Sequence, residues 1–140
     1  MIILDTNVLS ALMQQQPDAQ VVAWLDEQPA ESVWLNSITL FEARCGLALL
    51  ASGQPRSLLQ ERFEALLQDD LQNRVLPFDD NAALQAAQLA ADRKARGCPV
   101  DMRDTFIAGI ARARRATLAT RNVRHFDDLS VLVVNPWGQK

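Results

Sequence analysis

Along the chain, short unbroken apolar runs alternate with stretches whose apolar residues recur every three or four positions. The first run, Ile2–Ile3–Leu4, is too short for a helix and suits a buried strand. It stops at Asp5, and Thr6 and Asn7 are turn and capping residues. Val8–Met13 then reads as a turn or two of helix. Pro17 breaks the chain and Asp18 restarts it as the N-cap of a helix carrying Val21, Val22, Trp24 and Leu25, which Pro29 ends. Ser32–Asn36 is a β-branched and aromatic run, hence a second strand. Ser37 opens a longer helix, with Ile38, Phe41, Cys45, Ala48 and Leu49 as the expected buried face. Ser52–Pro55 is a break, and Leu58–Leu67 is a further amphipathic helix folded back on its predecessor. Arg74–Phe78 predicts a third strand, ending at Asp79–Asp80. The alanine-rich segment Asn81–Arg96 predicts a helix stopped by Gly97–Cys98–Pro99. Another helix follows over Thr105–Arg115, with Asp104 at its N-cap or first turn. Ala116–Thr120 is a fourth strand, His125–Asp128 a turn or helical stub, and Val131–Val134 a last strand.

Strands that alternate with helices predict an α/β fold with a mainly parallel sheet covered by helices. The 140 residues suit one domain, 1–140, large enough for a true core. In such a sheet the strand carboxyl ends and helix amino ends share one edge, where ligands bind. Asp5 follows the first strand. Glu42 lies in the first turns of the helix after the second, between Ile38 and Cys45, and so projects along the side expected to be buried. Asp104 begins the helix before the fourth strand, and Asn122 follows that strand. Each position has a local reading: Asp5 and Asp104 as helix caps, and Thr39-x-x-Glu42 as a capping box. The helix dipole also favours an ionised Asp104.

Composition narrows the chemistry. No apolar run approaches the ~18 residues of a membrane span, and no basic segment precedes Ile2 as in a secretory signal, so the expected location is the cytoplasm. Cys45, Cys98 and the single histidine, His125, cannot make a typical structural zinc set, and Cys45 reads as a small core residue. Phosphate-loop, dinucleotide and serine-hydrolase motifs are missing from the sequence. The net charge of −3 conceals an asymmetry. Residues 1–91 carry 12 acidic and 4 basic side chains; residues 92–140 carry 5 and 10, nearly all arginine. Arginine makes forked contacts to phosphate or carboxylate, although a solvated helix face explains many charge runs.

Carboxylates gathered at one edge repel, so either some protonate or a cation lies between them. With no cysteine–histidine set, oxygen donors point to magnesium or manganese. A divalent ion so held suits phosphodiester hydrolysis, and the basic second half suits the substrate backbone.

Five stretches carry a resemblance: Leu4–Ser10, Ile38–Gly46, Asp104–Ala108, Ala119–Asn122 and Asn135–Trp137. In order and spacing the chain resembles the PIN-domain ribonucleases, specifically the VapC toxins and in particular their FitB branch. The resemblance implies a three-layer α/β/α sandwich around about five mostly parallel strands. It also implies a magnesium-dependent ribonuclease (manganese as the alternative ion), a homodimer, and a cognate antitoxin that binds operator DNA. Asp5, Glu42 and Asp104 take the catalytic and metal positions. The fourth acidic position falls on Asn122, which brings oxygen but no charge. Arg121, Arg124 and His125 are candidate phosphate contacts. Two other readings stand beside it. One is a PIN fold that binds RNA or protein without catalysis. The other is a receiver-like signalling domain, disfavoured because Asp5 has no acidic neighbour and only two lysines are present.

Overall fold

The computed structural model describes residues 1–99 and 101–138. Five strands form one parallel sheet in the order β3-β2-β1-β4-β5: β1 Ile2–Leu4, β2 Val33–Asn36, β3 Val75–Leu76, β4 Thr117–Ala119 and β5 Val133–Val134. Among the described residues six helices cover it: α1 Thr6–Met13, α2 Ala19–Asp26, α3 Ser37–Leu49, α4 Gln54–Ala65, α5 Asp80–Ala95 and α6 Met102–Arg114. The expected three-layer α/β/α sandwich is the observed one.

Alternation along the strands makes the layers, because successive side chains point to opposite sheet faces. Ile3 and Leu118 pack with Leu89, Ile107 and Ile110 of the α5–α6 layer. Their neighbours Leu4 and Ala119 pack with Val8, Leu9, Leu47 and Phe63 of the α1–α4 layer. β1 is central and buried, as its unbroken apolar run requires.

The α5–α6 contact is very close. A Cβ at Gly109 would lie 2.5 Å from the Ala82 carbonyl oxygen and 2.7 Å from the Ala86 Cβ. At Gly46 of α3 a Cβ would meet nothing within 4 Å. Gly46→Ala is therefore expected to stabilise by up to about 1 kcal/mol through helix propensity. Gly109→Ala, with the same propensity gain, is expected to destabilise by about 1–3 kcal/mol through overpacking. Urea unfolding of the two variants checks the opposite signs.

Several expected boundaries move. α1 starts at Thr6 rather than Val8, because Asp5 accepts a bond from the Thr6 N–H and acts as N-cap. α4 starts at Gln54 and runs on as a π-helical turn, Leu66–Asp70. α6 starts at Met102, capped by Asp101, so Asp104 lies in its first turn. β3 and β5 are two-residue remnants of the longer runs. Val100, between the expected helix stop at Pro99 and the expected helix at Thr105, falls outside the described residues.

Of the expected buried face of α3 only Ile38 packs against the core, on the α5–α6 side. Phe41 is 59% and Leu49 81% exposed, and Ala48 and Cys45 are exposed too, so Cys45 is no core residue. The helix instead turns Thr39, Leu40, Ala43 and Leu47 to the α1–α4 core. Apolar residues occupy both faces of this helix, and its pattern alone does not say which one meets the sheet.

Candidate active site at the carboxyl edge of the sheet

β1 leads one way across the sheet, through β2 to β3, and the chain then returns to place β4 on the other side of β1. Ligands of open α/β sheets bind outside the strand carboxyl ends at such a reversal. Asp5 stands there, 4% exposed. Its backbone N–H still extends the sheet, donating to the Ala119 carbonyl at 2.9 Å. Oδ1 accepts from the Thr6 N–H at 2.8 Å, and Oδ2 accepts from the Thr120 hydroxyl at 2.7 Å. The carboxylate is thereby fixed by groups from both sides of the reversal. Burial raises its pKa above the usual carboxylate value, against the lowering effect of the Thr120 and Thr6 bonds; Asp104 and Glu42 add repulsion.

Glu42 arrives on the second turn of α3. A buried amide holds that helix in place. Asn36 Nδ2 donates to the Leu4 carbonyl at 3.0 Å and to Thr39 Oγ1 at 3.1 Å, while its Oδ1 accepts from the Thr39 N–H at 2.9 Å. The Thr39 and Thr6 hydroxyls are 3.1 Å apart, and Thr6 Oγ1 donates to Glu42 Oε1 at 2.8 Å. With the Asn36 amide as first donor, the bonds run Asn36 to Thr39 to Thr6 to Glu42 in one direction, each polarising the next. Glu42 Oε2 accepts from Arg103 Nη1 at 3.1 Å. Glu42 is thus tied through Thr6 to the edge where Asp5 stands, and Asn36 supplies the N-cap of α3.

Asp104 faces His125, whose Nδ1 lies 3.0 Å from Asp104 Oδ2. Burial is the main cause that raises the Asp104 pKa, the His125 bond lowers it, and Asp101 and Glu42 add repulsion. His125 sits in the 3₁₀ turn Val123–Phe126, which Arg93 clamps from α5. Arg93 is 6% exposed. Its Nε and Nη2 donate to the two Asp128 oxygens at 2.9 and 2.8 Å, and Nη2 donates to the His125 carbonyl at 2.7 Å. Arg96 also donates to Asp128, at 2.8 Å, so Asp128 is occupied by two arginines and does not serve the acidic edge.

Asn122 is less involved than its position implies. Its exposed side chain makes no recorded bond to the acids, and only its backbone N–H joins the network, donating to Thr120 Oγ1 at 3.0 Å. Arg121, Asn122, Arg124 and His125 line an open cleft of about 710 Å³. A second cleft, about 480 Å³, is lined by Asp104, Asp101, Arg93 and again Arg124 and His125. The shared pair makes a basic rim that runs past Asp104. Arg121 stacks over the Trp137 ring, 4.6 Å from its centroid.

A hard divalent ion fits these donors chemically: they are oxygens, one is buried, and two are held by mutual repulsion and burial above their ordinary pKa. The arrangement is not a closed cage. Among the described residues no three His, Cys, Asp or Glu side chains converge tightly enough to hold a metal. Sequence reading missed Thr6, Thr39, Thr120, Asn36, Arg93 and Arg103. The hydroxyls at Thr6 and Thr120 lie beside strand ends that were legible, and that adjacency was the available signal.

Comparison with known proteins shows what the chain is similar to. The chain is 41% identical over 137 residues to the toxin FitB of Neisseria gonorrhoeae, covering 98% of this chain and 99% of that one. It is 40% identical over 137 residues to the VapC ribonuclease Y4jK of Sinorhizobium fredii, covering 98% of each. The solved structure of FitAB bound to an IR36 DNA fragment superposes with a TM-score of 0.89 at 40% identity, over 100% of this chain and 98% of that one. The family model described as PIN domain matches residues 2–132. The chain belongs to the PIN-domain family.

Proposed function

We propose that this chain is a magnesium-dependent endoribonuclease and the toxin of a toxin–antitoxin pair, working as a single domain in the cytoplasm, with manganese able to replace magnesium. The observation that carries the reading is the buried Asp5 at the sheet reversal, with Glu42 and Asp104 brought to the same edge. No helix among the described residues is long and apolar enough to cross a membrane.

Asp5, Glu42 and Asp104 would hold the ion. When bound, it supplies a water of lowered pKa and positive charge for the phosphoryl oxygens. The protein's own groups do the positioning. Thr6 N–H and Thr120 Oγ1 fix the Asp5 carboxylate. Thr6 Oγ1 orients Glu42. With His125 Nδ1–H directed to Asp104, Nε2 is left to exchange a proton or contact a phosphate. Arg121 and Arg124 offer forked donors along the rim. Asn122 in the fourth position adds no charge, which favours one ion over two.

The relatives named as toxins, and the FitAB complex with DNA, support a partner: an antitoxin that binds the chain and anchors the pair, as homodimers, to operator DNA. An arginine from that partner could enter the acidic edge. The test is cleavage of an RNA panel by purified protein under magnesium titration, with and without co-expression of the adjacent gene's product. Magnesium-dependent cleavage that this product suppresses is the expected result. A folded protein that cleaves no RNA in magnesium or manganese would overturn the enzymatic reading and leave a binding role.

A further inference from the structure

We infer that Arg103 is a further residue of this site, with two successive partners: it holds Glu42 until a divalent ion displaces it, and then contacts the RNA phosphate. The inference rests on the function proposed above. Arg103 lies in the first turn of α6, next to Asp104. Its side chain is 65% exposed, and among the described residues its recorded bond is the one to Glu42 Oε2, at 3.1 Å. Glu42 is the more buried partner and is already fixed through Oε1 by Thr6. One end of the pair is therefore anchored and the other is free to leave.

Glu42 does not serve a guanidinium and a cation equally well at once. A guanidinium on Oε2 satisfies that oxygen and places a like charge beside any ion, which opposes binding in a partly desolvated pocket. Asp5, Glu42 and Asp104 are the three carboxylates of this edge. Two of them are engaged elsewhere, Glu42 by Arg103 and Asp104 by His125. A divalent ion has the higher charge and can recruit Asp5 and Asp104 together with Glu42, so it wins at sufficient concentration. The released guanidinium is long, exposed and forked, on the same turn as Asp104, and suited to a phosphate held there.

The test uses the intact protein and manganese ion alone, by titration calorimetry, with Arg103→Gln compared with Arg112→Gln at the far end of the same helix. Arg103→Gln is expected to tighten manganese binding about fivefold or more, and Arg112→Gln to leave it near the wild type, because a remote exposed charge is screened. In a Glu42→Gln background the Arg103 change should add nothing. The KM for an RNA oligonucleotide should rise severalfold in Arg103→Gln, opposite in sense to the metal effect. A structural role would weaken both together, and thermal unfolding verifies that each variant is folded. Equal manganese affinities in the two arginine variants, a gain that persists without Glu42, or an unchanged KM would each overturn the assignment while leaving the ribonuclease reading intact. A wild-type protein that neither binds manganese nor cleaves RNA would overturn both.

Discussion

Asp104→Asn is expected to lower RNA cleavage by about 10²-fold or more, the scale at which losing one fixed electrostatic group slows an enzyme, and to leave the protein as stable as the wild type or more so. The combination follows from the site. Asp101, not Asp104, caps α6, so the helix keeps its first-turn bond when residue 104 changes. Ionised Asp104 is disfavoured by burial and by Asp101 and Glu42, and only the His125 contact works the other way. A neutral isostere removes that cost together with the charge that would hold the ion. Cleavage assays beside thermal unfolding check it. A folded variant that cleaves at the wild-type rate, or one that loses much of its stability, would count against the assignment.

The same logic sets the pH dependence. Asp5 and Asp104 both have raised folded-state pKa values, so the folded protein binds protons more readily than the unfolded chain. Stability gains from their protonation as pH falls through those raised values toward the ordinary 3.8. Asp128 acts oppositely. Its hydrogen bonds to Arg93 and Arg96 depress its pKa, so its stabilisation is complete above 3.8 and is lost only well below, as pH falls through the depressed value. Mild acid should therefore weaken cation binding before it weakens the fold.

The sheet, the helix order and the three acidic positions were legible because each rests on a local signal: a short apolar run, a proline or glycine break, a carboxylate at a strand end. Asp5 and Asp104 could be placed without coordinates for that reason. The errors occurred where local signals are degenerate. α3 carries apolar residues on both faces, and only the packing of Leu47 and Ala43 against α1 and α4 decides between them. Asn122 occupies the right place in the order of residues, yet only its backbone joins the network. Arg93 lies in an alanine-rich helix beside Lys94 and Arg96, and nothing in that run separates a buried guanidinium from two solvated cations. Its partners lie 12 to 35 residues away, which is why periodicity could not find it.

That arginine should be the largest single polar contribution to stability. Arg93→Met keeps volume and helix propensity but removes both bonds to Asp128, the bond to the His125 carbonyl and the contact with Thr105. Breaking a buried pair by deleting one partner costs about 3–5 kcal/mol. Arg96 remains on Asp128 and offers partial cover, which places the expectation near the lower end, about 3 kcal/mol. The loss should shrink in acid. In the wild type the Arg93–Asp128 stabilisation disappears as Asp128 protonates, so below that depressed pKa the two proteins should converge. Arg93→Met combined with Asp128→Leu should recover a large part of the loss at neutral pH, because no buried charge is then left without its partner. Urea unfolding of the three proteins at neutral and at strongly acid pH decides this. A single-variant loss below about 1 kcal/mol, the value of an exposed pair, or a loss independent of pH, would mean that the fork is not what fastens the Val123–Phe126 turn to α5.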